Sequence, residues 1–383
     1  MRGVVVTILH RQAGAGSGPL ERSLVAARLA VARRHMAGFL EAASESPAIE
    51  IDARIESGPP DDTPFGRRLR RLALDAAEAG WSGLVVLGSG AIPLARRRDL
   101  RELLDAAASG GRVALANNRY SADAVAIGDP GGLRALPDLG ADNALPRWLS
   151  ERGGYRVADL RGRWRLGVDL DSPLDALILG LPAAGDGDGA PLDRRVLDRV
   201  GSVRTLARDP GAELLVAGRT SAATLAWLER STASRTRALI EERGLRASER
   251  LARAADPAPG RAPRRQQRPP RSVLGAVLDR SGPGALGHAL AELADGAVID
   301  TRVLLAHRLG ADERRWPSAE DRFASDLLRP ERIGDEWLRE LTGAALGAPI
   351  PVLLGGHTLV GPGIRLVLGR PPRAVLADAG GPM

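Results

Sequence analysis

The sequence predicts an α/β protein, a doubly wound mixed sheet followed by a second, smaller α/β domain. Three observations carry that prediction. Aliphatic runs of strand length recur along the chain, stretches of helical period separate them, and Leu84-Val85-Val86-Leu87 is continuously apolar, as in a parallel strand buried on both faces. The expected domains are 1–181 and 194–370, joined by a linker at 182–193. A disordered insertion is expected at 252–272 and a flexible tail at 371–383.

Val4-Val5-Val6-Thr7-Ile8-Leu9 reads as the first strand. Glycines at 14, 16 and 18 and a helix over 20–43 follow it. After a turn at Ser57-Gly58-Pro59-Pro60, helical spacing covers 65–79, and the strand at 84–87 ends in Gly88-Ser89-Gly90. A helix over 97–108 leads to strands at 112–116 and 124–127, the first of them ending in Asn117-Asn118-Arg119. Asp142-Asn143 precede a helix at 145–152, and residues 166–171 read as a strand entering a helix at 175–179. Beyond the linker come a strand at 214–217, a helix at 221–230 and a strand at 237–241. A helix at 273–278 and strands at 297–300 and 351–354 complete the series, the last feeding Gly355-Gly356-His357.

Composition bounds the chemistry. A chain of 383 residues is long for one core, and its 44% hydrophobic and 26% charged content is globular. Aromatics supply only 3%, so Ala, Leu and Val must build the interior. No cysteine is present, which excludes disulfides, thiolate nucleophiles and Cys-ligated zinc. No lysine is present either, which excludes a phosphate-gripping lysine and a Schiff base. The net charge of +7 comes from dispersed arginines without interleaved aromatics, the pattern of solvated helix faces, so neither nucleic acid nor a membrane is an expected partner. The first apolar run is too short for a signal segment or a span, and a cytoplasmic, soluble protein is expected.

The segment Val168-Asp169-Leu170-Asp171-Ser172-Pro173-Leu174-Asp175 carries the most specific signal. Ser172 can cap a helix that Pro173 opens, and a carboxylate at a strand end can hold Mg²⁺ against a triphosphate. This segment resembles the Asp-x-Asp-Thr-Pro-x-Asp stretch of GT-A-type nucleotidyltransferases such as the molybdopterin and phospholactate guanylyltransferases. Residues 84–104 are similar to that family's central strand and following helix, with Asp99-Leu100 and Leu103-Leu104 in place. Two departures stand out. The family's metal-binding aspartate is absent from Gly88-Ser89-Gly90, and its Gly-x-Gly-x-Arg loop with lysine is replaced by residues 10–18, with Arg11 as the available charge.

The resemblance implies transfer of a nucleotidyl group from an NTP to a phosphorylated small-molecule acceptor, with release of pyrophosphate. Asp171, helped by Asp169, would hold Mg²⁺. Gly88, Ser89, Gly90, Arg11, Asn117, Asn118, Arg119, Asp142 and Asn143 would contact nucleotide or substrate. The alternatives are turn chemistry for the asparagines, capping for Asp142-Asn143, and a module that binds a nucleotide or NDP-sugar without turnover. A GT-A glycosyltransferase would carry its Asp-x-Asp earlier in the domain, and an arginine-rich nucleic-acid binder would lose affinity steeply with salt. In the second half, the turn Gly218-Arg219-Thr220-Ser221 opens a helix and suits an anion, and it is expected to share a pocket with His357.

Overall fold

The computed structural model describes residues 2–46, 48–120, 122–140, 142–181, 190–243 and 269–369. Contacts divide the chain into two compact units, Met1–Gly16 with Val25–Leu170, and Ser17–Leu24 with Asp171–Met383. The division falls inside the Asp169-Leu170-Asp171 motif. The first unit holds a mixed six-stranded sheet and the second a parallel four-stranded sheet, so the α/β class holds throughout.

In the first unit the elements run β1 (Arg2–Arg11), α1 (Pro19–Ser44), β2 (Ile49–Gly58), α2 (Phe65–Glu78), β3 (Gly83–Gly88), α3 (Arg97–Ala108), β4 (Val113–Ala116), β5 (Ala124–Ile127), α4 (Leu145–Glu151) and β6 (Arg156–Asp159). Their order is β2-β1-β3-β5-β4-β6, and β5 alone runs against its neighbours. Side chains alternate across a strand, so β1 feeds two cores. Val4, Val6 and Ile8 pack with Phe39, Leu100 and Leu103, while Val5 packs with Leu69 and Leu133.

The two edge strands were not expected. In β2, Ile49, Ile51 and Ile55 alternate with Glu50, Asp52, Arg54 and Glu56, and a strand with one wet face reads as polar sequence. β6 is short and half exposed for the same reason. Residues 166–171 require a correction, because they are not a sheet strand. They leave a 3₁₀ turn at Trp164–Gly167 and make one isolated bridge, Ala91 to Asp169.

The second unit contains α5 (Pro173–Ile178), α6 (Ala190–Leu206), β7 (Glu213–Gly218), α7 (Ala222–Ser231), β8 (Arg235–Ile240), α8 (Val273–Ser281), α9 (Leu286–Ala291), β9 (Gly296–Asp300), α10 (Thr301–Leu309), α11 (Ala319–Asp326), α12 (Glu336–Leu346), β10 (Val352–Gly355), α13 (His357–Val360) and α14 (Ile364–Leu368). All pairings in the order β10-β9-β7-β8 are parallel. Residues 182–189 of the expected linker, 252–268 of the expected insertion and the whole tail at 371–383 lie outside the described residues. Residues 190–193 open α6, and Ser272 is buried and caps α8 through the Gly275 N–H. Ser17–Leu24 belong to this unit, where the Glu320 carboxylate accepts the Leu20 and Glu21 N–H groups and so caps the start of α1. Among the described residues no helix is long and apolar enough to cross a membrane.

One buried group in the first unit sets a pH dependence. His35 is fully enclosed beneath the turn after β3 and donates from Nε2 to the Ala91 carbonyl at 3.0 Å. Burial first, and the nearby Arg34 charge second, push its pKa down to about 4. The unfolded chain binds this proton at its ordinary value near 6.5, so stability is full above that pH and falls as pH drops toward 4, by about 3 kcal/mol. Thermal denaturation across that window should show the decline, and His35→Gln, which keeps a donor without titrating, should flatten it. An identical slope in the variant would assign the decline to other groups.

Candidate functional site

In the first unit β1 has β2 on one side and β3 on the other, so the crossover direction reverses between β1 and β3. Ligands of open α/β sheets bind outside the carboxyl ends of the strands at such a point. Here His10 Nδ1 lies 3.2 Å from Ser89 Oγ, linking the ends of β1 and β3. His10 is buried, and that burial, followed by the Arg28 and Arg33 charges, holds its pKa below the ordinary imidazole value. The ring is neutral at pH 7.

The turn after β3 is packed against the acidic motif. Leu170 N–H donates to Gly90 O at 2.9 Å, and Arg28 Nε donates to Leu170 O at 2.7 Å. Only glycine suits position 90, since a Cβ would sit 2.9 Å from Leu170 O and 3.1 Å from Arg28 Nε. The Ala91–Asp169 bridge brings Asp169, which is buried, to the same turn. A cleft of about 480 Å³ opens at the ends of β1 and β2, lined by His10, Arg11, Gly58, Asp61, Asp62 and Arg68 among others. Arg68 pairs with Asp61 at 2.5 Å, while Arg11 is exposed.

The asparagines do turn chemistry. Asn117 is buried, its Oδ1 accepts the Asp123 and Ala124 N–H groups, and its Nδ2 donates to Leu166 O at 3.0 Å. Asn118 Oδ1 accepts the Tyr120 N–H. Arg119 beside them is half exposed. Asp142 and Asn143 form the 3₁₀ turn Asp142–Ala144 ahead of α4, whose start has no side-chain cap. Asp99 has a role that sequence reasoning missed. It is buried, accepts the Arg96 N–H at the start of α3, and binds Arg163 at 2.8 Å and Arg165 at 3.2 Å, anchoring the segment that leads to the acidic motif.

The second unit repeats the reversal, with β7 between β8 and β9, and its carboxyl edge is ionic. Gly218 ends β7 at φ +130, and a Cβ there would fall 2.2 Å from the Asp300 Cβ, so only glycine lets the two strand ends meet. Arg219 then grips Asp300 through Nε at 2.6 Å and Nη2 at 3.1 Å. The anion this turn meets is therefore an internal carboxylate. Burial pushes Asp300 up, but Arg219, with Arg302 and His357, more than offsets it and holds the carboxyl below the ordinary aspartate value. Arg219 is bound to Asp300 directly, and His357 acts on it only through its charge. Ser221 caps α7 through the Thr224 N–H, and the buried Thr220 hydroxyl has no hydrogen-bond partner among the described residues.

Two further layers surround that pair. Arg302 binds both oxygens of Asp326 in a buried bidentate pair, the Nη2 arm at 2.6 Å, and donates from Nη1 to Thr301 Oγ1, which donates to Gly355 O at 3.2 Å. Burial opposes the Arg302 charge, yet Asp326 keeps its pKa above the ordinary arginine value. Asp175 is also enclosed. Its Oδ2 accepts the Asp171 and Ser172 N–H groups at 3.0 and 2.8 Å, completing the capping box of α5 with Ser172. Burial, then the Asp171 charge, pushes it up to about 7. Asp171 itself is exposed, and its Oδ2 lies 3.9 Å from His357 Nδ1.

The sequence placed Asp171, Arg219 and His357 at strand ends, and Asp300, Asp326 and Asp175 were not among the candidate site residues. The available signal was Asp300, a charge closing the wholly buried strand Gly296–Asp300. No family model and no curated protein matches this chain.

The Arg302–Asp326 pair gives a direct test of this network. Arg302→Met should cost about 3 to 5 kcal/mol, because it strands a buried carboxylate, whereas Arg302→Met with Asp326→Leu should recover most of that loss. Chemical denaturation of both variants measures it, and equal losses would show that packing, and not charge pairing, dominates.

Proposed function

We propose that the first unit binds a nucleotide at the carboxyl ends of β1, β2 and β3, and that its reaction class is metal-dependent nucleotidyl transfer to a phosphorylated small molecule. The observation that supports this is the cleft of about 480 Å³ at the carboxyl ends of β1 and β2, with Arg11 in its lining, beside the β1–β3 reversal where His10 meets Ser89 and Asp169 bridges to the turn after β3. Arg11 would meet phosphate oxygens, the role a lysine cannot take in this chain. His10, neutral and buried, would hold Ser89 in place and offer a hydrogen bond that adds no competing positive charge. A divalent cation at Asp169 would offset charge developing on the phosphate under attack. Asp171, assigned to the metal by resemblance, begins the second unit.

A second reading, binding of a nucleotide or NDP-sugar without turnover, has one observation in its favour. The turn after β3 offers Ser89 and Gly90 where the resembled family places a carboxylate, and the Ser89 hydroxyl is already engaged by His10.

Thermal-shift measurements with ATP, GTP, CTP, UTP and NDP-sugars, with and without Mg²⁺, test the binding step. A ligand at a hundredfold excess over its Kd stabilises by about 2.7 kcal/mol. Arg11→Ala should lower the nucleotide shift while leaving the melting temperature of the free protein unchanged. Pyrophosphate release with a phosphorylated acceptor then separates transfer from binding alone. A flat response to every nucleotide would remove both readings.

A further inference from the structure

We infer that the second unit holds a divalent metal of the imidazole-accepting class, such as manganese or zinc, between His357 and Asp171. The inference concerns Asp171 and His357, both in the second unit, and it is tested on metal binding without nucleotide so that its failure is distinguishable from failure of the nucleotide reading. It also departs from the magnesium that resemblance assigned to Asp171. Mg²⁺ favours an octahedron of hard oxygens, whereas a ring nitrogen beside a carboxylate suits zinc, iron, manganese or cobalt.

The geometry is that of two ligands around a shared centre. His357 Nδ1 and Asp171 Oδ2 are 3.9 Å apart, too far for a hydrogen bond. Two donors each about 2.1 Å from one ion can be separated by up to about 4.2 Å, so the observed spacing admits an ion with little movement. The side chains are 33% and 44% exposed, which lets a hydrated ion reach them and leaves coordination positions for water or a ligand.

Both ligands are held from behind. The Asp171 backbone is pinned by its N–H donation to the buried Asp175 carboxylate. His357 follows Gly355 and Gly356, and Leu359 packs against Gly355, where a Cβ would fall 2.7 Å from Leu359 Cδ2, so the passage from β10 into α13 is tightly packed.

The test uses the full chain, stripped with EDTA and free of nucleotide. Mn²⁺ titration followed by electron paramagnetic resonance should show saturable binding of one equivalent, which Zn²⁺ displaces and an equal concentration of Mg²⁺ does not. His357→Ala and Asp171→Asn should each weaken Mn²⁺ binding by at least about tenfold. Nitrogen modulation in the pulsed spectrum of the wild-type Mn²⁺ complex should report the imidazole directly, which keeps the inference testable even if a variant fails to fold. Absence of saturable binding, absence of nitrogen coupling, unchanged affinity in both variants, or equal competition by Mg²⁺ would each overturn it. Because no nucleotide is present, none of these outcomes bears on ligand binding by the first unit.

Discussion

Parallel pairing of the first strand of each sheet on both sides is the constraint from which the rest follows. A parallel neighbour can be reached only by a crossover, and in each unit the second strand lies on one side of the first and the third on the other. The crossovers therefore leave in opposite directions, and the carboxyl ends of the first and third strands lie side by side. His10 and Ser89 meet at that point in the first unit, and Gly218, Arg219 and Asp300 meet there in the second.

The two edges meet the same topological demand with different chemistry. The first sets a buried histidine, a hydroxyl and one buried aspartate beside a glycine turn, with Arg28 at that turn and Arg11, Asp61, Asp62 and Arg68 along the neighbouring cleft. The second is a layered set of ion pairs in which Arg219 and Arg302 each hold a buried carboxylate. Buried charges without partners cost several kcal/mol each, so such a network persists only where its geometry is closely held. Bidentate grips on Asp300 and Asp326 and the capping box at Asp175 supply that hold. Asp171 and His357, at the wetter margin, are positioned by the network without being enclosed in it.

Turn residues illustrate how one residue type can serve two ends. Asn117 and Asn118, adjacent at a strand end, look suited to reading a base edge, yet their amides close the loop from β4 to β5. The glycines at the start of α1 suggest an anion seat, and an anion does sit at that helix start, supplied by Glu320 from three hundred positions away. A sequence displays the donors of a turn but not which acceptor will fold onto them, and a distant carboxylate satisfies them as fully as a phosphate would.

By itself the sequence determined what depends on local periodicity and composition. The doubly buried strands β1, β3, β7 and β9, the helices α1 to α4, α7 and α8, the Ser172-Pro173 helix start, and the exclusion of thiol and lysine chemistry all follow from residues near one another in the chain. Tertiary structure alone decided the rest. It placed β2 and β6 at edges where half-polar strands are stable, reduced residues 166–171 to a single bridge, and divided the chain within the Asp169-Leu170-Asp171 motif. It also chose Asp300 as the partner of Arg219, Asp326 as that of Arg302, and His357 as the neighbour of Asp171. These outcomes share one physical reason. Hydrophobic period is a property of a segment, whereas the partner of a charge is settled by which strand ends the crossovers bring together, and that is a property of the whole chain.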